Sequence, residues 1–256
     1  MAEGSKVISV ALDVGAPVEA LFYAPEASTD DRAGEVIDRA LDAGVRVYEL
    51  GPGVMERVAD TVTPQPLLAV VPFVDVGLDV LAEASLLVVC ADVRDPGNAG
   101  TVLRSAEAAG ADGVVCCDGS VDVYNPKTVR ASAGALFHVP VVAGGDVEQV
   151  LERLGSWGMQ RLAAAAHDGR EYTEMDLTAA VALVLGNEAA GVPSGLGRWI
   201  DEPISIPMAG RADSLNVGMA AAVLCFEAAR QRRQRRDRPP GRSHELHQPD
   251  GGARRS

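Results

Sequence analysis

Short apolar runs alternate along the chain with longer segments that have helical periodicity. The runs Leu86–Cys90 and Val181–Leu185 are apolar at every position and have the length of a strand. Such runs are typical of strands that a parallel sheet buries on both faces. Ala99–Ala109 is rich in alanine and is followed by Gly110, where a helix is expected to stop. This alternation predicts βαβ units and an α/β fold with a mostly parallel sheet.

The same patterns predict the other elements of the chain. Strands are expected at Val18–Ala24, Val45–Leu50, Leu67–Val71, Gly113–Cys117, Val139–Val142, Arg161–Ala166 and Ile204–Ile206. Helices are expected from Asp30 or Asp31 to Ala43, near Val54–Ala59, over Val129–Gly134, over Asp146–Leu154, and from Asn216 through Glu227 into the arginines that follow.

The chain divides into two α/β units and a tail. Residues 1–72 are predicted to form a small α/β domain, residues 73–84 a linker, and residues 85–230 a larger α/β domain. From 231 to 256 the chain is mostly Arg, Gln, Pro, Gly and His and has no apolar periodicity. That composition predicts a disordered, arginine-rich tail.

Composition narrows the class of protein. The 256 residues are 47% hydrophobic and only 4% aromatic, which excludes collagen-like and disordered classes for the bulk of the chain. No apolar run reaches transmembrane length, and the first residues do not form a secretory signal. We therefore expect a cytoplasmic protein that does not contact a membrane.

Cysteine and histidine positions argue against a metal site. The four cysteines lack C-x-x-C spacing and lie in apolar stretches, at Cys90, Cys116, Cys117 and Cys225. They are predicted to be reduced core thiols. His138 and His167 are too far apart in the sequence to suggest a set of metal ligands.

The charge is distributed unevenly along the chain. Residues 230–256 hold nine arginines against three acidic residues, so this part carries +6 and residues 1–229 carry −19 of the total of −13. A body this acidic does not by itself suggest a nucleic-acid-binding protein. Any proposal of RNA binding has to rely on local basic patches.

Three segments hold more glycine and polar positions than an α/β core needs. The first, N-A-G-T-V-L-R over 98–104, follows a buried strand and so lies at the carboxyl edge of the sheet, where such folds bind ligands. Asn98 stands at the helix entrance and Arg104 lies six residues further on. A helix cap followed by a solvated arginine explains the pattern equally well.

The second segment, L-G-N-E over 185–188, also follows a strand directly. Gly186 allows a ligand to approach the backbone closely, and Glu188 follows two residues later. An ordinary turn, with Glu188 in the first turn of a helix, accounts for this segment as well.

The third segment runs from I-P-M-A-G at 206–210 to S-L-N-V-G at 214–218. Pro207 ends a strand because proline donates no ladder hydrogen bond. Ser214 and Asn216 then precede an alanine-rich helix, whose first amides suit a polar ligand. One cap explains Ser214, but not both polar side chains.

Two common nucleotide sites are excluded. Residues 97–100 read G-N-A-G, which is not the G-x-G-x-x-G of a dinucleotide site, and no acidic residue stands at the matching ribose position. The chain also lacks G-x-x-x-x-G-K-[ST], and Lys127 is isolated, so a P-loop is excluded as well.

Together, N-x-G-x-x-x-R, L-G-N-E-x-x-G and I-P-M-x-G followed by S-L-N-V resemble the SpoU-type (TrmH-like) 2′-O-ribose RNA methyltransferases of the SPOUT class. The resemblance covers about residues 17–230. It implies that the larger domain is a SPOUT domain with a deep trefoil knot, which nothing in the periodicity predicts. It also implies that residues 1–72 form an RNA-binding domain like ribosomal protein L30e, and that the enzyme is a homodimer that needs no metal.

The resemblance also assigns roles to residues. It implies that S-adenosylmethionine contacts the backbone around Ala164–Ala166 and a set of loop residues: Gly186, Glu188, Ile206, Met208, Ser214, Leu215 and Asn216. Arg104 is then expected to anchor a phosphate of the RNA and to stabilise the developing alkoxide. Asn98 is expected to orient Arg104 or the ribose.

Two departures from the family pattern stand out. Glu3-Gly4 comes almost at the start, where family members have a basic lead of a few tens of residues. Gly218 stands where the family has serine, so one hydroxyl that helps to order the site is missing.

The sequence leaves alternatives open. Ribosomal RNA, and 23S rRNA in particular, is the expected substrate, with transfer RNA as the alternative. A non-catalytic RNA-binding protein of ribosome assembly is a second possibility, and methylation of a protein or a small molecule is a third.

Overall fold

The computed structural model describes residues 1–59, 63–188 and 190–237. The N-terminal domain is a four-stranded sheet with three helices. Its elements are β1 (Ala2–Glu3), α1 (Ser5–Asp13), β2 (Ala20–Tyr23), α2 (Asp31–Asp42), β3 (Arg46–Glu49), α3 (Met55–Val58) and β4 (Leu67–Val70). The strand order is β1-β4-β2-β3. Strands β2 and β3 are parallel, whereas β4 is antiparallel to both of its neighbours.

Helices α1 and α2 show why one was predicted and the other was not. The Asp30 carboxylate caps α2 by accepting hydrogen bonds from the amides of Arg32 and Ala33, a signal that the sequence displays. Helix α1 begins after Gly4, which has a φ of 95° and offers no side-chain cap. Burial of Val7 and Ile8 stabilises α1 instead, and only the tertiary structure shows that burial.

The C-terminal domain is a seven-stranded parallel sheet with helices around it. Its elements are β5 (Leu86–Cys90), α4 (Pro96–Ala109), β6 (Gly113–Cys116), α5 (Pro126–Ser132), β7 (Val141–Ala143), α6 (Val147–Ser156), β8 (Gln160–Ala165), β9 (Arg170–Glu171), β10 (Val181–Leu185), β11 (Glu202–Ser205) and α7 (Val217–Asp237). The strand order is β7-β6-β5-β10-β8-β11-β9, with every pair parallel. The predicted α/β architecture with a small N-terminal domain is therefore confirmed, while the trefoil knot stays a prediction.

The two apolar runs of the sequence form the centre of this sheet. Strands β5 and β10 are adjacent and in register from Leu86↔Val181 to Cys90↔Leu185, and all ten of their residues are buried. Since all strands run the same way, their C-terminal ends meet at one edge. We call this the carboxyl edge and the opposite one the amino edge.

The segment 73–84, predicted as a linker, packs along the second sheet. The amide of Val76 donates to the carbonyl of Val141 at 2.8 Å, and a 3-10 turn, Leu78–Leu81, buries Leu81. A further contact joins the domains, since Arg130 of α5 donates to the buried carboxylate of Glu3 in β1 at 2.9 Å.

Helix α7 extends beyond the point where the sequence predicted disorder. It continues to Asp237, and its residues from 231 onward make specific contacts. The Arg232 guanidinium donates to the carbonyls of Leu177, Ser85 and Ala179 and to the Ser85 hydroxyl, at 2.6–2.9 Å. The prediction of disorder from 231 was thus wrong for 231–237, and 238–256 lie outside the described residues.

Within the described ranges, no helix is both long and apolar enough to cross a membrane. The four cysteines are buried and unpaired. No group of three or more His, Cys, Asp or Glu side chains is placed to hold a metal ion in the part of the chain that the structure describes.

Candidate methyltransferase site

A cavity of about 140 Å³ lies at the carboxyl edge, where β8, β10 and β11 end. It is lined from β8 and its end by Ala164, Ala165 and Ala166; from the loop after β10 by Gly186, Asn187, Glu188 and Gly191; from β11 and the loop after it by Ile204, Ile206, Ser214 and Leu215; and from α7 by Val217, Ala220 and Leu224. Small and apolar side chains form most of the wall, and Glu188, Asn187 and Ser214 supply polar groups.

Hydrogen bonds join the three motif segments beside this cavity. The side-chain amide of Asn98 donates to a Glu188 carboxylate oxygen at 2.7 Å. The amide of Asn216 in turn donates to the Asn98 carbonyl oxygen at 2.8 Å. These contacts span 90 and 118 residues of sequence, so a single line of three side chains connects the first turn of α4 with the loops after β10 and β11.

Asn216 also anchors the start of α7. Its side-chain oxygen Oδ1 accepts hydrogen bonds from the backbone amides of Gly218 at 2.9 Å and Met219 at 3.4 Å. One asparagine thus caps the helix and orients Asn98. This dual role explains why the segment contains more than a simple cap.

Gly218 packs closely against Thr101 of α4. A Cβ at this position would lie 2.9 Å from two side-chain carbons of Thr101, which is closer than real Cβ contacts. Thr101 itself donates from its hydroxyl to the Gly97 carbonyl at 2.9 Å. Glycine at 218, where the family has serine, therefore leaves room for the Thr101 side chain on α4.

Gly186 is required first of all by the chain's own backbone. A Cβ there would lie 2.2 Å from the Gly191 carbonyl group and 2.3 Å from the Val192 nitrogen. The loop turns back on itself through paired backbone hydrogen bonds between Asn187 and Gly191, at 2.8 and 2.9 Å. The sequence left open a ligand close to Gly186 or an ordinary turn, and the structure shows that the turn alone already requires glycine there.

Helix α4 is held in place at its first turn. The Asp95 carboxylate accepts a hydrogen bond from the backbone amide of Asn98 at 2.9 Å. This hydrogen bond lowers the pKa of Asp95, and the nearby Lys127 ammonium lowers it further. Gly100 lets α4 approach α5, since a Cβ there would meet the Ala131 Cβ at 2.4 Å. These contacts fix where Asn98 stands.

Four of the predicted site residues do not line the cavity: Asn98, Arg104, Met208 and Asn216. Asn216 reaches the site through Asn98, whereas Met208 is half-buried outside the cavity wall. Arg104 is exposed on α4, and no described side chain forms an ion pair or a hydrogen bond with its guanidinium. The expected contact between Asn98 and Arg104 is not made in this structure.

Other residues near the site were not predicted. Val217, Ala220 and Leu224 close the cavity from α7, and a cavity wall of this kind depends on how the helix packs across the sheet edge. Arg94, exposed and paired with Asp92 at 2.8 Å, has a pKa raised mainly by that pairing and slightly by the charge of Glu188. That interaction brings Arg94 near Glu188, a residue of the cavity wall.

The sequence of this chain is similar to those of known proteins. The SpoU rRNA methylase family matches residues 85–226, and the MRM3-like substrate binding domain matches residues 1–69. The 23S rRNA (guanosine(2553)-2′-O)-methyltransferase RlmP of Bacillus subtilis is 37% identical over 186 residues, 73% of each chain. The 23S rRNA (uridine(2479)-2′-O)-methyltransferase of Streptomyces viridochromogenes is 33% identical over 243 residues, 90% of this chain and 82% of the relative.

Solved structures agree with this assignment. The Streptomyces viridochromogenes SpoU methyltransferase AviRb in complex with AdoMet superimposes with a TM-score of 0.79 at 30% identity, covering 91% of this chain and 90% of the other. An AdoMet-bound rRNA methyltransferase from Sinorhizobium meliloti gives a TM-score of 0.76 at 32% identity, covering 89% and 85%. From the motifs, the fold and these similarities together, the chain belongs to the SpoU rRNA methylase family.

Proposed function

We propose that this chain transfers a methyl group from S-adenosylmethionine to a ribose 2′-hydroxyl of 23S ribosomal RNA. The observation that carries the proposal is the Asn216–Asn98–Glu188 line of hydrogen bonds beside a cavity at the carboxyl edge. The relatives named above act on 2′-hydroxyls of 23S rRNA, which favours that substrate over transfer RNA.

The residues of the cavity fit the cofactor. Alanines and glycines leave the backbone open to a ligand along one wall, and Ile204, Ile206 and Leu215 offer apolar surface to an adenine ring. The Glu188 carboxylate and the Ser214 hydroxyl supply polar partners at the opening. When bound, S-adenosylmethionine supplies a methyl group on a positively charged sulfur, which is a ready electrophile.

The protein has to position a weak nucleophile. A ribose 2′-hydroxyl is a poor acid, so it needs orientation and help in losing its proton. The unpaired guanidinium of Arg104 is available to bind a phosphate of the substrate with two parallel hydrogen bonds and to stabilise negative charge on the reacting oxygen. Asn98 positions Glu188 and the loop after β10 rather than Arg104.

Basic side chains that are free of ion pairs could bind RNA phosphates even though residues 1–229 carry a net negative charge. Arg104 and Arg32 carry no ion pair among the described residues, and Lys127 holds Asp95 only at 3.4 Å with its side chain 60% exposed. Arg130 forms an ion pair with Glu3 at 2.9 Å and is therefore not free for a phosphate. We therefore assign the phosphate contacts to the unpaired cations and to Lys127.

The enzyme is proposed to act as a homodimer in the cytoplasm, where ribosomal RNA is modified. Helix α7 supports the dimer, because its outer side carries Met219 and Phe226, 60% and 47% exposed, with Ala222 and Val223 between them. Ala221, Ala228 and Ala229 of the same helix are buried within the chain and so belong to its core.

The test is a methyl-transfer assay with labelled cofactor on three unmodified transcripts: 23S rRNA, 16S rRNA and a transfer RNA pool. We expect label in 23S rRNA only. Label confined to transfer RNA would support the alternative substrate. Cofactor binding by calorimetry without labelling of any transcript would indicate another acceptor, and no cofactor binding would indicate a non-catalytic protein.

A further inference from the structure

The aromatic side chain of Phe73 is exposed to solvent. It is 75% exposed, more than any other large apolar side chain of the described residues. Its ring stacks on Tyr124, with the centroids 4.3 Å apart and the planes at 26°. One face of the ring is thus supported, and the other is available to a flat ligand.

Tyr124 is a fixed support for this ring. Its hydroxyl donates to the Asp75 carboxylate at 2.8 Å and accepts from the Val74 amide at 2.8 Å. Burial raises the pKa of the Tyr124 phenol, and the hydrogen bond to Asp75 raises it further, so the group stays a neutral donor. These two hydrogen bonds tie the loop after β6, which carries Tyr124, to the segment 73–76, which carries Phe73.

The pair lies at the same edge of the sheet as the methyltransferase site. Tyr124 belongs to the loop after β6, and β6 is in register with β5 up to Cys116↔Cys90. The next residue, Asn125, caps α5, whose first turn places the Lys127 ammonium 3.4 Å from the Asp95 carboxylate. Asp95 caps the helix that carries Asn98. The Phe73–Tyr124 stack and the exposed Lys127 thus lie at the edge of the sheet where the helix that carries Asn98 begins.

We propose that Phe73 and Tyr124 form a stacking platform for an unpaired base of the RNA substrate, with Lys127 taking a neighbouring phosphate. The proposal rests on the proposed function and adds a recognition site on the catalytic domain. Proteins that bind unpaired RNA stack its bases on aromatic rings beside cationic side chains. A platform of this kind holds the target strand in the open form that the 2′-hydroxyl needs.

The test compares three variants at Phe73 in the methyl-transfer assay on 23S rRNA. Phe73→Leu keeps apolar bulk but removes the ring, and we expect KM for RNA to rise about tenfold with kcat and cofactor affinity unchanged. Phe73→Tyr retains stacking and is expected to keep the wild-type KM. Phe73→Trp is expected to stack as well, with its indole emission quenched when RNA is added. Val80→Ala, at another exposed apolar side chain of 73–84, is the control.

The outcomes are distinguishable from failure of the proposed function. If wild-type protein labels no RNA, the proposed function fails before the variants are compared. If wild type labels RNA and Phe73→Leu has a KM within twofold of it, the platform is wrong. Conversion of Phe73→Leu to a monomer in light scattering would assign the ring to an interface between copies of the chain and overturn the proposal. Unquenched Phe73→Trp would do the same.

Discussion

Asn98 is the side chain through which the loops of the site are joined. It donates to Glu188 and accepts from Asn216, so its amide has a single orientation. The resemblance to the SpoU-type methyltransferases predicted that Asn98, Glu188 and Asn216 belong to one site. It did not predict which of them touch, since that depends on contacts across about a hundred residues.

Arg104 provides the sharpest prediction for a single residue. Arg104→Ala is expected to lower kcat at least about 100-fold, because a donor to developing negative charge is lost. Cofactor affinity is expected to change little, since Arg104 does not line the cavity. Single-turnover methyl transfer and calorimetry measure the two quantities separately. An equal loss in both would show that Arg104 acts on the cofactor instead.

At the scale of elements, most strands and helices followed from apolar runs and caps. Helix α5 begins at Pro126, three residues before the predicted start, because the Asn125 cap and the proline after it were overlooked as a start signal. Helix α1 and the last turns of α7 were missed because tertiary contacts, not local patterns, stabilise them. The trefoil knot stays a prediction from the resemblance, since chain threading leaves no local signal in the sequence.

The loop after β10 is expected to tolerate no side chain at Gly186. Gly186→Ala already places a Cβ 2.2 Å from backbone atoms of Gly191, so the loop has to open and the cavity wall is lost. We expect cofactor binding to disappear in calorimetry. Gly195→Ala is the matched control, since a Cβ there meets nothing within 4 Å. Wild-type affinity in Gly186→Ala would remove this loop from the site.

The end of α7 is expected to stabilise the domain through one arginine. Arg232→Ala removes hydrogen bonds to three carbonyls at the amino edge and should lower the free energy of unfolding by about 1–3 kcal/mol. Arg233→Ala alters an exposed neighbour that makes no hydrogen bond or ion pair among the described residues, and it should change this free energy by less than about 0.5 kcal/mol. Urea unfolding measures both. Equal effects would show that general charge, not the Arg232 contacts, stabilises the helix.

At the scale of the whole molecule, α7 links the two edges of the sheet. Its first turns close the cavity through Val217 and Ala220, and Arg232 contacts the residues before β5 and β10 at the amino edge. The arginine-rich end of α7 therefore lies at the edge of the sheet opposite the cavity.

The outer side of α7 is expected to form the dimer interface. Phe226→Asp places a charge in the middle of the exposed apolar stripe, and burying it unpaired is costly, so we expect the mass from light scattering at micromolar concentration to fall by half. Leu41→Asp, at an equally exposed apolar position of α2, should leave the mass unchanged. A wild-type protein that is already monomeric would contradict the proposed dimer.

The central claim is that the chain methylates a ribose oxygen and not a base. The most direct measurement is mass spectrometry of nucleosides released from 23S rRNA that was treated with the protein and isotopically labelled S-adenosylmethionine, with Arg104→Ala as the control. We predict one 2′-O-methylated nucleoside, recognised by loss of a labelled methylribose, and none in the control. Label retained on the free base, or label of equal amount in the control, would contradict the account.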